Sequence, residues 1–243
     1  MLRTIGLGVA AALLAPLPQP VHAQGRGQAV SQPAALQREI GARAGRDLQA
    51  FYAARGNQPL WLNEFGRPSG AASMLVSHLR TAQFDGVDPK KLKVGKLAKA
   101  LDKARRGNAK DAAKAEIALS TAFAAYVRAM RGAGREQMIY ESQALAPVVP
   151  TVGAALSTAA ASAEGLEDYV AEMRWMHPLY APLRNAMEDP RFSESQRRQM
   201  WTNLARVRAI PAMPMGRHIL VDAASATLWM YEDGKVVDSM KVV

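Results

Sequence analysis

The feature that most constrains this chain is a change of hydrophobic period. From Leu36 to Arg208 apolar residues recur every three or four positions, the spacing of one face of an α-helix. From His218 onward they come in short blocks of alternating or β-branched residues, HILV at 218–221, TLWMY at 227–231 and VVDSMKVV at 236–243. The switch falls at the Pro- and Gly-bearing stretch Pro211–Gly216, which is therefore the expected domain boundary. The expected class is α+β, a mainly α-helical domain over residues 35–211 followed by the first strands of a β-rich domain over 217–243.

Within the helical part, Leu36, Ile40, Ala44, Leu48 and Phe51 or Tyr52 share a stripe that Gly56 stops. Asn57–Pro68 is turn-rich, and its Trp61 and Phe65 are expected to cover the end of a helical layer. Ser69 is placed to cap a helix running to Gln83, with Met74, Leu75, His78 and Leu79 on its apolar side and Asp85-Gly86 ending it. Lys90–Arg106 is lysine-rich with Leu92, Leu97 and Leu101 inward. In Asn108–Arg131, Leu119, Phe123, Tyr126 and Met130 form a single core stripe, with Gly132 and Gly134 as its stop. Prolines extend Gln143–Pro150, and short helices are expected at Val152–Ala163, Leu166–Met173 and Pro178–Glu188. Ser193 and Gln196 have the spacing of a capping box, opening a helix to Arg208 whose Met200, Leu204 and Val207 face inward.

Three short strands cannot bury their own faces. The last runs apolar to Val243 with nothing to blunt its edge, so either the strands pack on the helices or the rest of their sheet is missing. The second alternative, a truncated β-rich domain, is the expectation.

The N-terminus has the pattern of an export signal. Arg3 supplies the positive start and Ile5–Leu17 an apolar run with Pro16 and Pro18 at its end; Val21-His22-Ala23 is a small-x-small cleavage site. Residues 1–23 are expected to be a cleaved signal peptide and residues 24–34 a flexible lead-in. The expected location is the periplasm, with membrane contact only during export. The whole chain carries +10; beyond Ala23 it holds 30 basic and 21 acidic residues, a net +9. A basic exported protein points to anionic envelope polymers. Export, together with only 6% aromatic residues, argues against a nucleic-acid partner. Lys90, Lys91, Lys93, Arg105 and Arg106 are the candidates for steering such a polymer, although a run of this kind also describes an ordinary solvated helix face.

The chain has no cysteine, which excludes a disulfide framework, a thiolate metal site and a thiol nucleophile within these residues. His78, His177 and His218 are distant in sequence and follow no metal spacing; His78 reads as a hydrogen-bonded core residue. No Gly-x-Ser-x-Gly elbow, Walker A loop or dinucleotide fingerprint occurs. Glu64, Glu136 and Glu141 are scattered and give little support to a paired-carboxylate glycosidase. No catalytic residue, metal site or cofactor is assigned.

Several stretches, in this order, resemble exported L,D-transpeptidases that join a scaffold domain to a YkuD-type catalytic domain. They are FYAARGNQPLWL at Phe51–Leu62, DGVDP at Asp85–Pro89 and IALSTAFAAYVRAMRGAG at Ile117–Gly134, then MHPLYAPLRNAM at Met176–Met187 and TNLARVRAIP at Thr202–Pro211. Arg217–Val243 resembles the opening strands of the catalytic domain, with Asp222 where an asparagine is common. The resemblance implies peptidoglycan stem peptides and glycan as partners, and a role in peptidoglycan cross-linking, cell-wall organisation and cell shape. It also implies a cysteine acyltransferase. The family's thiolate attacks the diaminopimelate carbonyl of one stem and passes the acyl group to an amine of a second. That cysteine lies downstream of the opening strands and has no counterpart in these 243 residues, so the chain is expected to be inactive by itself. The alternative is a complete, non-enzymatic periplasmic protein that binds peptidoglycan or another envelope component.

Overall fold

A computed structural model describes residues 32–132, 139–140, 146–212, 216–223, 225–233 and 235–242. The signal peptide, most of the lead-in, Gly134, Glu136 and Glu141 lie outside these residues. The described elements are mainly helical and end in a three-stranded antiparallel sheet, an α+β arrangement.

The first apolar stripe forms two helices rather than one, α1 (Gln32–Arg43) and α2 (Arg46–Ala54). Gly45 turns extended (ψ 171°) between them, so the chain bends while Leu36, Ile40, Leu48, Phe51 and Tyr52 all stay buried. Helix α1 also takes in Gln32–Ala34, residues assigned above to the lead-in. Gly56 ends α2 in the left-handed conformation (φ 61°), as its type allows. Helix α3 (Gly70–Arg80) is capped by the Ser69 hydroxyl, which accepts the Ala72 N–H. It stops earlier than its periodicity suggests, and a 3₁₀ turn, Ala82–Asp85, carries the chain to Gly86 (φ 70°).

Helix α4 (Val94–Arg105) buries Leu97 and Leu101 and leaves its lysines outside. Helix α5 (Ala109–Gly132) is the centre of the helical part and packs against α1, α3, α4 and α6 (Val152–Ala160). Its Leu119, Phe123, Tyr126 and Met130 are each at most 1% exposed; burying side chains of this size stabilises by about 1.5–3 kcal/mol apiece. Helices α7 (Leu166–Ala171), α8 (Tyr180–Glu188) and α9 (Glu194–Val207) complete the layer, and the Ser193–Gln196 capping box opens α9.

Trp61 is not a cover at the end of a layer. It is fully buried, 5.1 Å from the Phe123 ring, and Phe123 meets Trp175 edge-on at 5.5 Å. Phe65 is half exposed, because the turn around the left-handed Gly66 directs it away from this cluster.

Glu116, on α5, holds the turn that delivers Trp61. Its buried carboxylate accepts the backbone N–H groups of Leu60 (2.7 Å), Trp61 (3.1 Å) and Leu62 (3.2 Å), and the Tyr52 hydroxyl (2.7 Å). Three successive amides aimed at one carboxylate form an anion-binding nest. Because the Tyr52 proton goes to Glu116, the Ser120 hydroxyl donates to Tyr52 (2.6 Å) and accepts the Trp61 indole N–H (2.9 Å). Burial raises Glu116 to about 6 against the opposing pull of these donors.

The sheet is a meander of β1 (Arg217–Asp222), β2 (Thr227–Glu232) and β3 (Lys235–Lys241). The register pairs Ile219 with Met230, Val221 with Leu228 and Leu228 with Met240, which places these five side chains on one face. That face is open: Ile219 is 61% exposed, Val221 57% and Met240 48%. Every residue of β3 is exposed. Contact with the helices comes from the opposite face.

Candidate functional site

Asp85 ends a short turn in the sequence, but in the fold it is a fully buried hub. Its carboxylate accepts the hydroxyls of Tyr126 (2.5 Å) and Tyr180 (2.8 Å) and the Nε–H of Arg184 (3.1 Å). Arg184 also donates to the Thr81 hydroxyl (2.6 Å) and to Glu188 (3.2 Å), so a buried guanidinium is almost fully satisfied. Desolvation is the largest influence on Arg184 and would lower its pKa; Asp85, Tyr126 and Glu188 together outweigh it and the net direction is up. Tyr126 and Tyr180 are pushed up, first by burial and then by the same carboxylate, so both remain protonated donors.

The hub also grips the chain as it leaves α9. Arg208, at the end of this helix, is buried, and its guanidinium donates to the Asp85 carbonyl. Gly86 leaves room for it: a Cβ there would meet Arg208 Nη1 at 2.9 Å. The next two carbonyls are held as well. Tyr140 donates its hydroxyl to Ala209 O (2.7 Å), and Arg131 Nη1 donates to Ile210 O (3.1 Å). Three consecutive residues at the exit from the helices are thus tied to the helical part, Arg208 through its own guanidinium and Ala209 and Ile210 through their carbonyls.

The sheet is then seated by aromatic contact. The Tyr231 ring stacks on His218 (4.9 Å between centroids, 7° between planes), and His177 meets its edge at 6.4 Å. Two histidines that are distant in sequence therefore flank one tyrosine where helices meet sheet. His177 is 3% exposed, and its Nδ1 accepts the Leu179 N–H (3.3 Å), which leaves the ring proton on Nε2. Burial lowers the His177 pKa, helped by the neighbouring His218 and Arg131. Protonating it would break the Leu179 bond and add a positive charge near Arg131.

A group held neutral in this way supplies stability that is present above the unfolded pKa of about 6.5 and lost as pH falls through the folded value. Cooling-corrected melting curves should therefore show a fall in Tm between pH 7.5 and 5.5, smaller in H177Q than in the parent chain. An NMR titration should find the His177 ring still neutral where an exposed histidine is half protonated. Equal pH dependence in both proteins would remove His177 from this role.

The remaining residues singled out from the sequence are dispersed. Lys90, Lys91, Lys93, Arg105 and Arg106 are all exposed along α4 and the turn before it; Arg105 makes a loose pair with Asp102 at 3.9 Å. His78 is half-buried on α3; among the described residues its Nε2 has no partner, and desolvation lowers its pKa. Glu64 is exposed beside Asn63, away from the buried networks. No cluster of three His, Asp or Glu side chains that could hold a metal ion occurs among the described residues. None of their helices is long and apolar enough to cross a membrane.

Asp85, Glu116, Tyr180, Arg184 and Arg208 were missed as interacting residues, although most lie in the family-like stretches. The signal that could have found them was the presence of charged residues amid otherwise apolar segments, at Asp85 after Phe84 and at Glu116 between Ala115 and Ile117. The Tyr52–Trp61–Glu116 and Asp85–Tyr126–Tyr180–Arg184 networks show what several of those stretches have in common: each contributes a donor to a buried carboxylate or, at Asp85, the carboxylate itself.

No curated protein and no solved structure matches the chain. A family model, the Scaffold domain, matches residues 46–187, more than half of the 243. Its limits run from the first residue of α2 to within one residue of the end of α8, and they enclose the Glu116 nest and all of the Asp85 hub except Glu188 and Arg208. The chain therefore belongs to the scaffold-domain family, the scaffold of L,D-transpeptidases.

Proposed function

We propose that this chain is the scaffold part of an exported L,D-transpeptidase that cross-links peptidoglycan in the periplasm, and that β1–β3 open its YkuD-type catalytic domain. The observation that carries the reading is the grip on residues 208–210, three carbonyl and guanidinium contacts made immediately before the sheet begins. A hinge would leave those groups to water. A support that must present a catalytic sheet in one orientation would fix them, since positioning to within about 1 Å governs the rate of a two-substrate reaction. The open apolar face of Ile219, Val221 and Met240 supports the same reading, as a surface on which further strands of that domain would pack.

In this role the chain's own residues bind and position. Acyl transfer would need a thiolate, and the 243 residues contain none. Lys90, Lys91, Lys93, Arg105 and Arg106 would draw in the anionic wall polymer by long-range attraction. Two measurements test the proposal. The purified chain should bind isolated sacculi in a salt-sensitive manner, and the triple variant K90E/K91E/K93E should bind several-fold less. In a muropeptide assay the chain should form no cross-linked product. Thiol-reagent-insensitive cross-linking, or binding indifferent to both salt and charge reversal, would overturn it.

A further inference from the structure

We infer that a groove between α6, α7, α8 and the β2–β3 turn is a binding site for a short peptide bearing a free carboxylate. The groove encloses about 1540 Å³ and is open to solvent along one side. That is larger than the roughly 300–1,000 Å³ of a pocket for one small molecule, and suits an elongated ligand. Much of its wall is apolar, with the buried Trp175 beside Ala155, Ala181 and Pro182.

Charge selects the ligand. Four of the six charged side chains on the wall are accounted for in two groups. Arg174 pairs with Glu164 and Glu172, and Asp233 accepts the Gly216 N–H at 3.0 Å. Arg131 and Lys235 remain, both cations without a carboxylate partner among the described residues. Arg131 is only 4% exposed, and its one hydrogen bond there is the donation to Ile210 O. A buried guanidinium with an incomplete set of acceptors favours an anion that can take two parallel N–H bonds, as a carboxylate does.

Polarity then separates a peptide from a fatty acid. Thr158, Ser162 and Asn185 line the groove, and their side chains make no hydrogen bond among the described residues. Together they offer donors and acceptors along the wall that peptide amides would use and an alkyl chain would not. The inference stands on the groove and does not depend on the chain acting in a wall enzyme; sacculus binding and peptide binding are separate results.

The probe is tri-alanine carrying an N-terminal fluorophore, as the free acid and as the C-terminal amide, titrated into the full chain and followed by anisotropy. The free acid should bind saturably, and the amide about tenfold more weakly, the effect of losing a charge-assisted hydrogen bond. T158W, at an exposed position on the wall, should abolish binding of both peptides without lowering Tm. R131Q should remove the preference for the acid; if it fails to fold, K235Q at an exposed site should still weaken the acid more than the amide. Absence of saturable binding, equal affinity for acid and amide, indifference to T158W, or tighter binding of decanoate than of the peptide would each overturn the inference.

Discussion

Replacing Asp85 by alanine is expected to lower the stability of this chain by about 3–5 kcal/mol, the usual cost of removing one partner from a buried ion pair. The loss would not come from Asp85 itself, which makes little contact with water in the native state. It would come from what remains: a guanidinium that is 2% exposed without its main anion, and two buried tyrosine hydroxyls without an acceptor. D85N should be better tolerated but still costly. Its amide keeps one oxygen and presents an N–H₂ group toward side chains that are all donors. Urea denaturation of D85A, R184M and the double variant checks this. The double variant should be less destabilised than the sum of the singles, because it leaves no unpaired charge. A loss below about 1 kcal/mol in D85A would show that water enters the hub and replaces the carboxylate.

Glu116 should give the second largest effect, with a distinctive pH signature. E116A leaves three backbone N–H groups and the Tyr52 hydroxyl without their acceptor, and several unsatisfied donors at about 1–3 kcal/mol each would bring the turn at 60–62 close to unfolding. E116Q retains one acceptor oxygen and should lose less. The sign of the pH effect follows from the raised value. With the folded carboxyl at about 6 and the unfolded one near 4.5, the native state holds the proton more tightly. The Glu116 contribution is therefore fully present below pH 4.5 and declines as pH rises to 6 and above, by about 2 kcal/mol in total. His177 and His78 act in the opposite direction, since both are held neutral by burial and lose stability on acidification. Stability measured from pH 4.5 to 7.5 should thus be flatter for the parent chain than for E116Q. In E116Q only the histidine component remains and stability should fall more steeply toward acid. Parallel profiles would mean that Glu116 titrates normally.

These two carboxylates also explain how a modest sequence signal can define a fold. Each joins segments that are far apart in the chain: Asp85 bonds to residues from 41 to 99 positions away through its side chain, and its carbonyl is reached from Arg208, 123 positions on. Both carboxylates are surrounded by donors that bond to them, so an alternative packing of the same helices would have to bury a charge without partners. The buried groups therefore select one arrangement of helices whose apolar faces are largely alanine and leucine and could pack in others. Whether they also favour that arrangement over a wholly apolar core is a separate matter, as buried ion pairs commonly give little net stability.

The sequence alone determined what depends on neighbours within one or two turns. The Ser69 cap, the Ser193–Gln196 box, the α5 stripe and the change to strands after Pro211 involve partners three or four positions apart, and each is present where its spacing places it. Only the tertiary structure decided the rest. It split the first stripe at Gly45, drew Trp61 into the core, set His177 and His218 on either side of Tyr231, and turned Asp85 and Arg208 inward. The physical reason is range. A cap or an apolar stripe is satisfied locally, whereas a buried charge is satisfied by whichever distant donor the packing brings within about 3 Å, and linear spacing carries no record of that.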